Sequence, residues 1–277
     1  MSVEQSMEQE KLSLDQVRRF LKYADVLHKL PPSLRNPGSV ECGEIQLVTD
    51  PVLMAEIETE WRAEYAKKGL NPDDANIGVI YEDNVKWHLN DAVLVPGPDG
   101  TIIRRGWDRI IWKNGVIGKS VIVVPITEDG RVVMVPSYRH TVGRWELELP
   151  GGGSMQAKTH EECVRFELLE EAGYTAFEII PLEPEEEGEP VAFFHVDPSV
   201  NVTPIRAYAV RVMQKVDNAP EIGEVFGKAM LFNRRDLKAL FTRGYIGHPH
   251  FPGVRYYPQD GRNGYGLMLA LLNNLIK

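Results

Sequence analysis

A chain of 277 residues, of which 43% are apolar and 26% charged, is long enough to bury the core of one large domain, or of a domain with an extension. Its formal net charge of −9 argues against broad electrostatic binding to nucleic acid or to an anionic membrane, so we expect neither as a partner. Two cysteines without metal-ligand spacing, a start without signal-peptide character and the lack of an apolar stretch near ~20 residues favour the cytoplasm.

Residues 1–75 are predicted to form a helical extension that begins with an amphipathic helix. Ser13 and Gln16 stand at the spacing of a capping box, so this helix is expected over residues 13–28. Its predicted apolar stripe consists of Leu14, Val17, Leu21, Ala24 and Leu27.

A second helix in this extension carries an aromatic and methionine stripe. Asp50 and Pro51 are typical of a helix start, and Gly69 is typical of a helix end. The stripe consists of Met54, Ile57, Trp61 and Tyr65. A row of this kind at helical spacing is characteristic of packing in a core or a dimer interface rather than of a ligand site.

From about residue 76 the pattern changes to strands and indicates a mixed domain over residues 76–277. β-rich runs flank an Asp-Gly turn at Asp99 and again at Asp129, which predicts two hairpins. Further strands are predicted over residues 189–197, 204–212 and 228–232, and further helices over residues 233–244 and 265–276. The fold class is therefore expected to be α/β (α+β), with helices packed on a twisted, mixed sheet.

The segment 149–174, LPGGGSMQAKTHEECVRFELLEEAGY, combines a glycine-rich loop with an acidic helix. Thr159 and a glutamate three residues later have capping-box spacing, so the helix is expected over residues 160–172, with Gly173 as its left-handed end. The glycines at 151–153 allow the backbone to approach a phosphate or a metal ion closely.

This helix is predicted to have an apolar row and an acidic strip. The apolar row consists of Val164, Leu168 and Ala172. Glu167, Glu170 and Glu171 gather on the adjoining strip. Carboxylates this close repel one another unless water or a cation neutralises them, and a hard cation such as Mg²⁺ prefers oxygen ligands. The strip is therefore either a metal site or a solvated glutamate-rich face.

The loop and helix resemble the box of the Nudix family, G-x5-E-x7-R-E-U-x-E-E-x-G-U, in which U is a bulky apolar residue. The matching residues are Gly152, Glu167, Leu168, Glu170, Glu171, Gly173 and Tyr174. The neighbouring segments SYR and WELELPGG are similar to the ADP-ribose pyrophosphatase branch, and the similarity extends over residues 80–277. The resemblance implies a Nudix-type α/β/α sandwich. It also implies a homodimer, to which the strands before residue 118 and the stripe of the second helix would contribute.

The box departs from the family pattern at two positions. Lys158 stands where the family has its first glutamate, and Phe166 stands where it has an arginine that supports the catalytic glutamates. Arg165 is not a simple substitute, because one residue along a helix means a rotation of about 100° onto another face. Lys158 reverses a charge, so it either pairs with a glutamate of the box or meets the substrate diphosphate. We interpret Phe166 as packing beside Cys163.

The resemblance also implies roles for individual residues. Glu167, Glu171 and the carbonyl group of Gly151 align with the ligands of Mg²⁺, with Mn²⁺ as a possible substitute. The expected substrate-binding residues are Arg139, Lys158, Gly152 and Gly153. The expected catalytic residues are Glu167, Glu170, Glu171 and Glu224. Glu224 lies in the loop from which this branch supplies a glutamate that activates or orients water, and Glu221 is its rival.

The insertion over residues 244–266 is longer and more aromatic than the turn expected there. It contains His248 and His250. Two histidines in a proline-rich loop without further ligands are typical of ordinary loop residues, so no metal site is predicted there.

Three functions fit the pattern. The first is Mg²⁺-dependent hydrolysis of the diphosphate in a nucleoside diphosphate linked to another moiety, such as ADP-ribose or a related NAD-derived or sugar nucleotide. The second is a nucleotide-binding or regulatory module that has lost hydrolysis through the two departures. The third is a repurposed enzyme of a specialised pathway with an unusual substrate. The three retained glutamates favour hydrolysis.

Overall fold

The structure, a computed structural model, describes residues 12–35, 38–154, 156–186, 189–190, 193–197, 199–201, 203–217 and 224–276. Contacts between residues divide the chain into two compact units, Met1–Ile117 with Asp197–Thr203, and Gly118–Val196 with Pro204–Lys277. This division differs from the predicted boundary between residues 75 and 76. The strands that follow residue 76 share a core with the preceding helices and therefore belong to the first unit.

The first unit contains an antiparallel sheet. Its strands are β1 (Gln46–Leu47), β2 (Gly78–Glu82), β3 (Lys86–Pro96) and β4 (Ile102–Trp112). β3 pairs with β4 along one edge and with β1 and β2 along the other. The hairpin predicted at Asp99 is confirmed, because β3 and β4 pair without interruption from Lys86 with Trp112 to Pro96 with Ile102.

The helices of this unit are α1 (Leu14–Lys29), α2 (Pro32–Arg35), α3 (Pro51–Lys67) and α4 (Lys113–Val116), with short 3₁₀ turns at Val40–Cys42 and Pro72–Ala75. The capping box of α1 is confirmed, because Ser13 Oγ accepts from the Gln16 backbone at 3.1 Å and Gln16 Oε1 accepts from the Ser13 backbone at 3.0 Å. The apolar stripe predicted for α1 is only partly correct, because Leu14 and Leu21 are exposed. The buried residues of α1 are Phe20, Tyr23, Val26 and Leu27.

The stripe of α3 belongs to the core of the first unit. Met54, Ile57 and Trp61 are each at most 7% exposed. The Trp61 ring lies against β4 at Gly106, where a Cβ atom would come within 1.9 Å of Trp61 Cζ3. Since these side chains are covered within the unit, the prediction that they help to form a dimer interface is wrong.

The second unit is built on a mixed sheet. Its strands are β5 (Lys119–Ile126), β6 (Val132–Arg139), β7 (Arg144–Glu148), β8 (Gly153–Ser154), β9 (Tyr174–Pro181), β10 (Glu185–Glu186), β11 (Glu189–Pro190), β12 (Arg206–Lys215), β13 (Met230–Phe232), β14 (Ile246–Gly247) and β15 (Arg255–Tyr257). β10 and β11 pair only with each other, and the other nine strands form one sheet. β12 runs parallel to β5, and β15 runs parallel to β7. The remaining pairs are antiparallel.

Most of the strands predicted in this unit are confirmed. The hairpin at Asp129 is formed by β5 and β6, and the predicted strands at 204–212 and 228–232 correspond to β12 and β13. The strand predicted over residues 189–197 is largely wrong within the described residues, which contain only β11 and isolated bridges at Phe194 and Asp197. Residues 191 and 192 lie outside the described residues.

Helices cover both faces of this sheet. They are α5 (His160–Glu167), α6 (Arg234–Arg243) and α7 (Gly261–Leu272). Val121 and Val123 of β5 share a core with α5, whereas Ile122 and Val124 share a core with α6 and α7. The predicted α/β/α sandwich is therefore confirmed. None of the helices described is both long and apolar enough to cross a membrane.

The ends of the last two helices show how capping sets their limits. α6 has Asn233 as its cap and the left-handed Gly244 as its end, as the sequence predicts. α7 begins four residues earlier than the predicted start at residue 265, because Asp260 caps it and accepts from the backbone N–H of Arg262.

Candidate active site

The glycine-rich loop lies between β7 and α5 and packs against β5. At Gly151 a Cβ atom would lie 2.5 Å from the carbonyl oxygen of Val121. At Gly152 a Cβ atom would lie 2.9 Å from both carboxylate oxygens of Glu167. Larger residues at these positions would push the loop away from the strand and from the carboxylate. Gly153 continues into β8, where it pairs with Ser120.

The acidic helix begins and ends where the sequence predicts. The hydroxyl group of Thr159 accepts from the backbone of Glu162 at 3.1 Å, and the Glu162 carboxylate accepts from the backbone of Thr159 in return. Gly173 ends the helix in the left-handed conformation. The last turn, Leu168–Ala172, is π-helical rather than α-helical. Single wide turns of this kind are rare and occur mainly at functional sites.

The two faces of this helix are both buried. The residues of the apolar row are at most 3% exposed and pack on the sheet. Glu167, Glu170 and Glu171 are each 7% exposed. The alternative of a solvated glutamate-rich face is therefore wrong.

Glu171 connects the helix to the glycine loop. The backbone N–H of Gly151 donates to Glu171 Oε2 at 2.9 Å. Burial raises the pKa of the Glu171 carboxyl well above its usual range, and the charge of Glu167 raises it further, whereas the hydrogen bond from Gly151 lowers it. Repulsion between neighbouring buried carboxylates is the condition that a bound cation relieves.

The donor atoms beside the glycine loop suit Mg²⁺, which takes part of its ligands from water and substrate. They suit a metal ion whose ligands all come from the protein less well. Within the described ranges, no three His, Cys, Asp or Glu side chains are placed to hold a metal ion. The available set is instead two carboxylates, Glu167 and Glu171, with the nearby carbonyl group of Gly151. Mg²⁺ typically binds one or two carboxylates and completes its shell with water and substrate phosphates.

Arg139, at the end of β6, forms a forked ion pair with Glu148 at the end of β7. Arg139 Nε donates to Glu148 Oε1 at 2.8 Å and to Oε2 at 3.1 Å, and Nη2 also donates to Oε2. The hydrogen bonds to Glu148 raise the pKa of Arg139, and the charges of Glu171 and Asp260 add to this effect. Arg139 is therefore close to the acidic strip, as expected of a substrate-binding residue beside it.

A second guanidinium, which the sequence did not reveal, reaches the same place. Arg262 Nη1 lies 3.4 Å from the Gly151 carbonyl oxygen, and Nη2 lies 3.4 Å from Glu148 Oε2. Asp260 holds this side chain, with Arg262 Nε donating to Asp260 Oδ2 at 2.8 Å. Glu148 lies at a strand end just before the glycine loop, and this position could have marked it as a site residue. The sequence gives no local sign that Arg262, over 100 positions later, contacts the loop.

The two departures from the box are surface residues. Lys158 is exposed, and its side chain forms no ion pair with any residue that the structure describes. Its backbone N–H donates to Glu162 at 2.7 Å. Phe166 is 48% exposed, and its packing beside the buried Cys163 stays a prediction. Arg165 donates to the carbonyl oxygen of Ala176, away from the acidic strip, as its helical position predicts.

Glu224 is exposed and lies between β12 and β13, in a segment that is hydrogen-bonded to β6. The next residue, Val225, accepts a backbone hydrogen bond from Tyr138 at 2.9 Å, and Gly227 donates to Pro136 at 2.6 Å. Glu224 is thereby near the strand end that carries Arg139. Its rival Glu221 lies outside the described residues.

The insertion over residues 244–266 extends the sheet. β14 and β15 lie within it, and β15 pairs with β7 beside Trp145. His248 Nδ1 accepts from the backbone of His250 at 3.0 Å and of Phe251 at 3.1 Å. These contacts organise the loop.

Comparisons with known proteins agree with this architecture. Residues 116–251 match the model of the NUDIX domain. The ADP-ribose pyrophosphatase of Bacillus subtilis (strain 168) is 35% identical over 57 residues, which make up 21% of this chain and 31% of that protein. The chain thus matches about a third of the length of this relative. A solved structure described as an ADP compounds hydrolase superposes with a TM-score of 0.50 and 16% identity over 71% of this chain and 90% of that chain, which shows a shared fold.

Proposed function

We propose that the chain belongs to the ADP-ribose pyrophosphatase-like branch of the Nudix family and that it hydrolyses the diphosphate of a nucleoside diphosphate linked to another moiety. The observation that carries this proposal is the burial of three carboxylates, in α5 and the π-helical turn that follows it, beside a glycine loop. Burying charge costs free energy that an ordinary helix avoids, so a helix that keeps all three is selected for what they bind.

The proposed cofactor is Mg²⁺, with Mn²⁺ as a possible substitute. Glu167, Glu171 and the Gly151 carbonyl group would hold the ion, which when bound neutralises diphosphate oxygens and lowers the pKa of a bound water. The hydrogen bond from Gly151 to Glu171 keeps this carboxylate next to the loop. Glu170, or Glu224 from the segment between β12 and β13, would orient the attacking water or accept its proton.

The diphosphate would be bound by cations around the loop. Arg139 presents a fork that suits a phosphate as well as the carboxylate of Glu148. Lys158, exposed on the loop, is available to a phosphate oxygen. Gly152 and Gly153 would let the backbone approach the substrate. ADP-ribose or a related NAD-derived or sugar nucleotide is the proposed substrate, which is supported by the names of the two similar proteins.

The alternative is a Nudix-fold module that binds a nucleotide without hydrolysing it, and Lys158 and Phe166 favour it. A panel of nucleoside diphosphate compounds, assayed for released phosphomonoesters with Mg²⁺, Mn²⁺ or a chelator, separates the two functions. Hydrolysis that requires the metal supports the enzyme. Binding of a panel compound by calorimetry without any hydrolysis supports the module and rejects the enzyme.

The proposed assembly is a homodimer formed by strands of the first unit, and the proposed location is the cytoplasm. β4 exposes large apolar side chains between 37% and 54%, namely Ile102, Ile103, Trp107 and Trp112. Exposed apolar residues grouped on one strand are characteristic of an interface. Light scattering is expected to give a mass near twice 31.3 kDa, and Ile103→Glu is expected to lower it. A monomeric parent protein at micromolar concentration contradicts the proposal.

A further inference from the structure

The first turn of α7 holds the segment that leads into the glycine loop. Asn263 Nδ2 donates to the Leu147 carbonyl oxygen at 2.7 Å, and the Leu149 backbone donates to Asn263 Oδ1 at 2.7 Å. Asn263 is 1% exposed, so both hydrogen bonds are shielded from water. This side chain thus takes the place of a neighbouring strand for two backbone groups of the segment.

Arg262 extends these contacts into the loop itself. Its guanidinium bridges the Gly151 carbonyl oxygen and the Glu148 carboxylate, each at 3.4 Å. Its side chain is 22% exposed, and Asp260 fixes it through an ion pair while also capping the helix. Because Asp260 is held by the helix start, the guanidinium has one defined position relative to the loop.

Close packing of α7 on the sheet makes this arrangement possible. One turn after Asn263, a Cβ atom at Gly266 would lie 2.9 Å from Leu149 Cδ1 and 3.0 Å from Ile122 Cγ2. A larger residue there would lift the helix away from the sheet and withdraw Arg262 and Asn263 from the loop.

The box position that should carry a supporting arginine does not supply one. Phe166 is half-exposed and neutral, and Arg165 bonds to Ala176 instead of the acidic strip. Arg139 and Arg262 instead place their guanidinium groups on the carboxylate of Glu148, just before the loop.

We infer that Asp260, Arg262 and Asn263 form a positioning clamp for the loop that carries the Gly151 carbonyl, and that Arg262 replaces the arginine missing at position 166. This inference rests on the proposed function of that loop. The clamp acts on the backbone that presents the carbonyl group and on Glu148, which holds Arg139. Arg262 is a positioning residue in this account.

The test compares Arg262→Met, Arg262→Lys and Asp260→Asn, with Arg234→Met as the matched control. Arg234 is an exposed arginine that starts α6 in the same unit. Asp260→Asn keeps a good capping side chain but removes the charge that fixes the guanidinium. Hydrogen exchange of the Leu149 and Gly151 amides is measured by NMR without metal or substrate, followed by kcat and KM on a substrate of the panel.

Arg262→Met is expected to speed exchange at the Gly151 amide about tenfold, because a charge-assisted contact to the loop is lost. It is expected to lower kcat by about 10- to 100-fold, the range typical of residues that orient ligands, with KM and the melting temperature nearly unchanged. Arg262→Lys is expected to keep part of the slow exchange at Gly151 and part of kcat. Asp260→Asn is expected to change both quantities in the same direction as Arg262→Met but less, and Arg234→Met is expected to change neither.

Parental exchange at Gly151 in Arg262→Met overturns the clamp. Faster exchange throughout the unit, or equal effects of Arg234→Met, also overturns it, because the lesion is then general destabilisation. The exchange measurement needs no turnover, so a parent protein that hydrolyses no compound of the panel rejects the proposed function while the clamp is still decided by the amides.

Discussion

The helices α3 and α5 both begin at a well-formed cap and both present a regular stripe, but the side chains that they bury differ in polarity. α3 buries Met54, Ile57 and Trp61, a contribution of roughly 1.5–3 kcal/mol for each large apolar side chain. α5 and the π-helical turn that continues it bury three carboxylates beside their apolar row. The first arrangement stabilises the fold, whereas the second costs stability unless a cation is bound, and this difference is why we propose a ligand site on α5 and not on α3.

A single buried glutamate in α3 sharpens this contrast. Glu58 is 3% exposed, but it is paired with Arg19 at 2.8 Å and accepts from the Ile77 backbone at 2.7 Å. Its charge is therefore compensated within the first unit. Glu171 receives a backbone hydrogen bond from Gly151, yet burial and the charge of Glu167 still raise its pKa. The same residue type is thus compensated within the fold in one helix, whereas we propose that it is held for binding in the other.

The largest effect is expected from Glu171→Gln, and a similar one from Glu167→Gln. Each variant removes a proposed metal ligand, so turnover should fall by orders of magnitude. Stability in urea should be unchanged or slightly higher, because a costly buried charge is removed. Parental turnover in either variant would show that the metal assignment is wrong, and a lower urea midpoint would show that the carboxylates serve the fold.

Glu58→Gln is the matched change in α3, and it is expected to lower stability and to leave turnover unchanged. It leaves the Arg19 guanidinium without its main partner, which should destabilise the first unit by about 3 kcal/mol, as is typical of a broken buried pair. Turnover at a temperature where the protein remains folded should be unchanged. Urea unfolding followed by circular dichroism measures the first effect, and a loss of turnover in the folded variant would contradict the contrast between the helices.

The contrast also explains which parts of the fold the sequence could predict. Caps and hairpin turns depend on residues a few positions apart, so the capping boxes of α1 and α5 and the turn at Asp99 were predicted correctly. The buried face of α1 depends on distant partners instead. Tyr23 is buried where its hydroxyl group donates to Asp91 at 2.6 Å, and periodicity alone had favoured Leu14 and Leu21.

The candidate site divides in the same way. The glycine loop and the acidic strip form one local segment, so their proximity followed from helical spacing. The forked pair of Arg139 with Glu148 depends on the pairing of β6 with β7, and the contacts of Arg262 depend on how α7 packs. The π-helical turn at Leu168–Ala172 has no signature in the residues themselves. The contacts of Arg139 with Glu148 and of Arg262 with the loop therefore depend on long-range packing, which the sequence alone does not give.

Restoring the family residues at positions 158 and 166 tests whether the two departures weaken the metal site or serve substrate binding. Lys158→Glu with Phe166→Arg is expected to raise KM about tenfold, because a carboxylate would then face phosphate oxygens. Phe166→Arg alone is the control and should leave KM unchanged, since position 166 is exposed. Titrations against Mg²⁺ and substrate measure both constants. A lower Mg²⁺ requirement with unchanged KM would show instead that Lys158 only weakens the metal site.

The smallest effect is expected at the N-terminal end of α5, where a histidine is partly buried close to two cations. Burial, together with the charges of Lys119 and Arg206, lowers the pKa of His160 to about 4. The unfolded chain takes up a proton near the ordinary pKa of about 6.5, but the folded chain does not until about 4, so stability falls as the pH falls between these values. His160→Gln should reduce this loss, whereas His250→Gln, at an exposed position, should keep it. Urea midpoints from pH 7.5 to 4.5 provide the measurement, and parallel curves for the parent and His160→Gln would mean that His160 is not held neutral by the fold.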